Sequence, residues 1–192
     1  MNRLDVIRAL LKAADVLNAA AAGRVYVLHK DAEGKQVGDW ITPDADPDIL
    51  EAQIRDTTQQ PAGTKLEFSV TEYEDFPDIG ERPKLSTLAQ VVTLLQGSPV
   101  DVVSAALEVA GRDVSNAAKL IELGYTIHKD DEDYAYSVVG DVGGPQNLGD
   151  DTLMAYFDFE KYGRDLMLEV INADLKDGRI VVFNKPKKDS ES

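Results

Sequence analysis

The 192-residue chain has no cysteine, two histidines, one tryptophan and only 20 bases against 35 acids. Each scarcity closes a class of chemistry. Without cysteine there are no disulfides, thiolate zinc sites or cysteine nucleophile, and the cytoplasm is the favoured compartment. His29 and His128 stand far apart in sequence, with no HExxH or comparable ligand pair, so each reads as a strand residue rather than a ligand. No stretch approaches the ~18 apolar residues of a membrane span. Asp5, Arg8, Lys12 and Asp15 interrupt the N-terminal segment, which excludes a signal peptide. A net charge of −15 repels nucleic acid and anionic membranes, and attracts whatever carries a basic groove.

What is present is acid, and it is unevenly placed. Residues 1–30 hold two acids and five bases, whereas residues 31–82 hold fourteen acids and four bases. Residues 83–129 balance four against four, residues 130–165 hold ten acids and two bases, and residues 166–192 balance five against five. Two acidic blocks separated by a neutral segment are not what uniform solubilisation produces. The densest stretch is Leu66–Glu81, LEFSVTEYEDFPDIGE, with six acids and no base in sixteen residues. It opens on the alternation of Leu66, Phe68 and Val70, the period of a half-buried strand. Like charge on a sheet edge also blocks edge-to-edge pairing, which is the purely structural account of such a run.

Hydrophobic spacing predicts the elements. Leu4, Ile7, Leu10, Leu11, Ala14 and Leu17 mark an amphipathic helix over 3–21, with Gly23 as its stop. RVYVLHK and KQVGDWIT form a hairpin across Asp31-Ala32-Glu33-Gly34, and Trp40 is expected in or half-under it. Asp44–Asp56 reads as a helix capped by Asp46, with Pro47 in its first turn and Ile49, Leu50 and Ile54 inward. Residues 83–123 read as three short helices, started by Ser86, by Ser98-Pro99 and by Asp113. A strand follows at Tyr125–His128. The acids Asp130, Asp131, Glu132 and Asp133 then suit a helix N-terminus, and they lack the spacing of a calcium loop. GDVGGPQNLGDD reads as a linker loop, and in MAYFDFEKYGRDLML the residues Tyr156, Phe157, Phe159 and Tyr162 fall on helix-like spacing. Leu168–Val170 and Ile180–Phe183 read as strands paired across Lys176-Asp177-Gly178-Arg179.

The parts are a segment 1–23, an acidic αβ part 24–82, a helical part 83–123, an acidic αβ part 124–184 and a disordered tail 185–192, an α+β chain of three small domains. No nucleophile, tuned acid–base pair or metal site emerges, so the reading is a binding protein, not an enzyme, with no cofactor and no metal. Two readings stand open for such a chain: a general acidic antagonist of basic DNA-binding proteins such as nucleoid proteins, and a hydrolase built on an unrecognised carboxylate pair.

Several stretches resemble the ArdA antirestriction family. The run Tyr156-Phe157-Asp158-Phe159-Glu160-Lys161-Tyr162-Gly163-Arg164-Asp165-Leu166 is similar to that family's "YIDYxxYGRDL" pattern. Thr71-Glu72-Tyr73-Glu74-Asp75-Phe76 resembles its "HDYEGF" motif, with threonine, glutamate and aspartate at the histidine, aspartate and glycine places. GDWITPDADPDILEAQI, EDYAYSVVGDVGG and DGRIVVF follow the family's order, and residues 1–23 have no counterpart in it. The resemblance implies an elongated three-domain homodimer, encoded on mobile genetic elements and acting in the host cytoplasm. Such a protein mimics bent duplex DNA in the binding groove of type I restriction–modification enzymes, without itself binding nucleic acid or membrane. Under it, the acids offered in place of phosphates are drawn from Asp44, Asp46, Asp48, Glu51, Glu72, Glu74, Asp75, Asp78, Asp130, Asp131, Glu132, Asp133, Asp150 and Asp151. Tyr156, Phe159 and Tyr162 are expected to pack the last domain or to form the dimer contact, and Tyr73, Phe76, Gly163, Arg164 and Asp165 complete the family motifs.

Overall fold

Val25 and Val27 alternate with Arg24, Tyr26 and Leu28, and that period turns one face of β1 (Arg24–Lys30) into the core, where both valines are fully buried. The computed structural model describes residues 23–31, 33–141 and 157–186, which leaves the expected helix 3–21 outside the described residues. β1 pairs antiparallel with β2 (Gln36–Ile41) through the expected turn, in which Gly34 takes a φ of 80°. On its other side β1 pairs antiparallel with β3 (Ser69–Glu74), giving the order β2-β1-β3 with a register shift at Tyr26/Val27. α1 (Pro47–Thr58) lies against β1 and β2 and touches α2 (Leu85–Gly97).

The chain divides into two compact units, the first ending at Val100 and the second beginning at Asp101. The second holds most of α3 (Val100–Val109), then α4 (Val114–Glu122), β4 (Tyr125–His128), α5 (Asp131–Asp141), α6 (Phe159–Met167), β5 (Ile171–Asp174) and β6 (Ile180–Phe183). Its sheet runs β4-β6-β5, all antiparallel. β6 is the central strand and every residue of it is buried, which explains its unbroken apolar run Ile180-Val181-Val182-Phe183. α5 packs against α6, and α5 touches β4. Mixed helices and antiparallel sheets make the chain α+β, as its sequence predicts.

Several expectations are met locally. Asp46 caps α1, accepting from the backbone N–H groups of Asp48 and Ile49 at 2.9 and 3.5 Å, with Pro47 at the first position. Asp113 caps α4 through the N–H of Asn116 at 2.9 Å. Trp40 is half-buried, edge-on to Tyr26 at 5.6 Å and beneath the Arg24 guanidinium at 5.4 Å.

Four expectations are corrected. Leu66–Phe68 is not strand, and β3 begins only at Ser69. The Gln60 side chain donates to the Glu67 carbonyl at 2.8 Å and accepts from the Glu67 N–H at 3.0 Å, so a side-chain amide takes the place of a neighbouring strand. The strand placed at Leu168–Val170 lies instead at Ile171–Asp174, because α6 continues to Met167 and Asn172 donates to the Met167 carbonyl at 2.8 Å. Ser86 is not a cap: α2 starts at Leu85, with Lys84 in the cap position and no side-chain capping bond. Ile49 is 49% exposed while Leu50 and Ile54 are fully buried. The inward stripe runs Leu50, Ile54, Thr58 at four-residue steps, and Ile49 sits a hundred-degree turn away from it.

Leu50→Ala is expected to cost about 2–5 kcal/mol through loss of burial and a cavity. Ile49→Ala should stay within about 0.5 kcal/mol of the parent. Urea unfolding followed by Trp40 fluorescence separates the two.

Candidate acidic interface

The acid-rich stretch of the first unit is a strand followed by a pinned loop. β3 ends at Glu74, and the chain then turns through Asp75, whose φ is 50°. Phe76 is buried and stacks on Tyr73 at 6.2 Å. The Tyr73 hydroxyl donates to the Gly80 carbonyl at 2.5 Å, the Gly80 N–H donates to Asp78 at 2.8 Å, and the Val70 N–H donates to the Glu81 carbonyl at 2.8 Å. Three contacts between neutral or backbone groups and one Asx turn therefore fix a run of carboxylates that would repel one another if loose. A further constraint comes from Gly23: a Cβ there would sit 2.0 Å from the Asp75 carbonyl oxygen, so the chain closes on this loop only with glycine.

Each nominated acid of this unit now has a place. Glu72 and Glu74 share the sheet face of Tyr26 and Arg24, their cross-strand partners. Glu74 is ion-paired with Arg24, and Glu72 is exposed without a partner among the described residues. Asp44 accepts from the Asp46 N–H at 2.8 Å, Asp46 caps α1, and Glu51 is bound to Arg55 at 2.7 Å one turn on. Asp48 and Asp75 are exposed, and their carboxylates meet no described partner.

The second acidic cluster opens α5. Asp130 accepts from the Asp133 N–H at 2.9 Å, and Asp133 accepts from the Lys129 N–H at 3.0 Å. The first bond satisfies a backbone donor that the start of α5 leaves open, the second ties Asp133 to the residue before the cluster, and the negative charges complement the helix dipole. Lys129 stands 3.7 Å from Asp130, and Asp133 lies 3.5 Å from Nδ1 of the buried His128. Asp131 is half-buried, and Glu132 is exposed without a described partner. Asp150 and Asp151 lie outside the described residues, as do Tyr156 and residues 142–149 of the expected linker loop.

The YGRDL run acts on this cluster from behind. Asp158 caps α6 through the Lys161 N–H at 2.9 Å. Phe159 is buried and stacks on Tyr136 at 3.8 Å; Phe157 meets Tyr162 edge-on at 5.3 Å. A Cβ at Gly163 would lie 2.3 Å from the Asp131 carbonyl oxygen, so glycine lets α6 touch the first turn of α5. Arg164 is ion-paired with Glu160 on the exposed side of α6, next to exposed Asp165. The motif thus seats the acids rather than joining them. No group of acids and histidines among the described residues is arranged to hold a metal.

A family comparison decides what kind of protein this is: the family described as Antirestriction protein (ArdA) matches residues 25–178. The chain belongs to the ArdA antirestriction family. The matched span takes in both acidic stretches and the YGRDL run. A comparison with curated proteins finds no match. ArdA proteins are inhibitors of restriction and not a known enzyme family. No described helix of this ArdA protein is long and apolar enough to cross a membrane.

Other acids outside the nominated set share this exposure. Asp39, Asp56 and Glu81 in the first unit and Asp141, Glu169 and Asp174 in the second are also exposed. The signal that finds them is the face of the element carrying each, not local charge density. Two further exposed acids are held below the usual carboxylate range, Glu67 by the Lys65 ammonium and Asp177 by the Arg179 N–H.

Gly163→Ala should destabilise the second unit by about 1–3 kcal/mol, because backbone rather than a flexible side chain must move. Urea unfolding followed by far-UV circular dichroism measures it. Burial, reinforced by Tyr162 and Asp141, raises the Tyr134 phenol above the usual tyrosine range. The folded state then holds that proton more tightly than the unfolded chain. The resulting stability is complete below the ordinary tyrosine value of 10.0 and is lost as pH rises through the raised value. Tyr134→Phe is expected to lessen the decline in urea midpoint between about pH 9 and 11.

Proposed function

We propose that this ArdA protein inhibits type I restriction–modification enzymes by mimicking duplex DNA and occupying their DNA-binding groove. What supports the reading is that the carboxylates of the Glu72–Asp78 stretch are held by pins that do not neutralise them. Within that stretch Glu74 is ion-paired with Arg24, and Glu72 and Asp75 have no cationic partner among the described residues. Their positions are set before binding, so little ordering cost is added when Lys and Arg of the target replace phosphate with carboxylate. Duplex DNA carries one charge per ~1.7 Å of axis. A chain of this size packed to ~40 Å with a charge of −15 carries one per ~2.7 Å, so a mimic must rely on where its acids stand as much as on how many there are. The proposed contacts are the described acids Asp44, Asp46, Asp48, Glu51, Glu72, Glu74, Asp75, Asp78 and Asp130 to Asp133, together with Asp150 and Asp151. The proposed context is a three-part homodimer, encoded on a mobile element and acting in the host cytoplasm.

The test is competition: a purified type I modification core on labelled DNA, titrated with the protein at low and high salt. Stoichiometric displacement that weakens with salt is the expected result. Each of Asp48→Asn, Glu72→Gln, Asp75→Asn and Glu132→Gln should cost about 0.5 kcal/mol alone, and the four together roughly thirtyfold in affinity. No displacement by folded protein would remove that enzyme as the target. Equal displacement of unrelated basic DNA-binding proteins would replace the proposal with general acidic inhibition.

A further inference from the structure

A groove of about 890 Å³ opens in the first unit between the end of β1, the segment before β3 and the approach to α2. Leu66, Phe68 and Leu85 supply half-buried apolar surface, and Lys30, Arg82 and Lys84 stand exposed around it. In a chain with 35 acids and 20 bases, a cation has no shortage of partners. Yet the charged groups of Lys30, Arg82 and Lys84 make no ion pair or hydrogen bond with another described residue.

Two acids that line the groove are paired with other cations, while Glu81 beside Arg82 is exposed. Glu51 is bound to Arg55 at 2.7 Å and Glu67 to Lys65 at 2.9 Å. Asp31, next to Lys30, accepts from the N–H groups of Glu33 and Lys35 at 3.0 and 2.8 Å. We infer that this groove docks an acidic peptide segment of a partner protein, with carboxylates on Lys30, Arg82 and Lys84 and alternate apolar side chains on the Leu66–Phe68 floor.

The choice of peptide over a phosphodiester rests on the aliphatic floor of Leu66 and Leu85. An extended peptide brings same-side carboxylates ~7 Å apart. A nucleic acid strand brings a phosphate on every residue into the field of a protein of charge −15, and its bases stack on aromatic faces but offer no aliphatic side chain to Leu66 and Leu85. Recognition falls to side chains, because Gln60 already takes both backbone groups of Glu67 and leaves no open edge there. The site is opposite in sign to the proposed mimic surface and does not rest on that reading.

Fluorescence anisotropy tests it, using the full chain and a labelled peptide of about twelve residues alternating glutamate and valine. Saturable one-to-one binding that weakens with salt is expected. The variant Lys30→Gln/Arg82→Gln/Lys84→Gln, which removes only exposed cations, should weaken it roughly tenfold or more. Lys84→Glu alone, with folding of both variants checked by circular dichroism, is expected to act in the same direction. Substituting glutamine for glutamate in the peptide should abolish binding. Absence of saturable binding, equal binding by the triple variant or the glutamine peptide, or tighter binding of an oligonucleotide of matched charge would each overturn the proposal. Competition with DNA for a modification core reads the acids alone, so the two proposals fail separately.

Discussion

Each acidic stretch is seated by a backbone contact that only glycine permits. Gly23 lies where a Cβ would reach the Asp75 carbonyl, and Gly163 lies where one would reach that of Asp131. These contacts matter because the stretches repel themselves. Carboxylates in series cannot be held by their own interactions, so the scaffold must hold them through neutral groups. Backbone against backbone, the Tyr73 hydroxyl on Gly80 and the stacked Phe159 all do so without cancelling charge.

The same constraint explains how the acids divide. Some are consumed by local structure: Asp46 and Asp113 as caps, Asp44, Asp78 and Asp130 as acceptors for nearby N–H groups, Glu51 and Glu74 in ion pairs. Others, such as Glu72, Asp75 and Glu132, are displayed without a described partner. An acid that caps a helix still carries its charge, so structure and display are compatible in one residue. Ion pairing does reduce the net charge locally. Glu74 and Glu51 therefore contribute less to the field than their positions suggest.

Cations show the complementary pattern. Arg24, Arg55 and Arg164 stand against acids of their own neighbourhoods, whereas Lys30, Arg82 and Lys84 gather around an apolar floor. In a chain with a surplus of acids, three bases without a described acidic partner lie at one place. Surface ion pairs contribute little to stability, so the lack of such partners costs the fold almost nothing.

The sequence by itself determined the elements whose signals are local: the hairpin at Gly34, the caps Asp46 and Asp113, the buried run Ile180–Phe183, and the acidic blocks. Those follow from backbone preference, side-chain hydrogen bonding and periodicity within a few residues. The family resemblance was likewise carried by short runs such as YGRDL. Tertiary structure alone decided that Gln60 ends the strand pattern before Ser69, that Ile49 points outward although Leu50 points in, and which acids remain unpartnered. It also decided that Gly163 serves the acids of α5 from another helix, and that four segments distant in sequence surround one basic groove. The physical reason is common to all of these. Each depends on which atoms arrive next to a residue from far along the chain, and charge density along the sequence carries no record of that arrival.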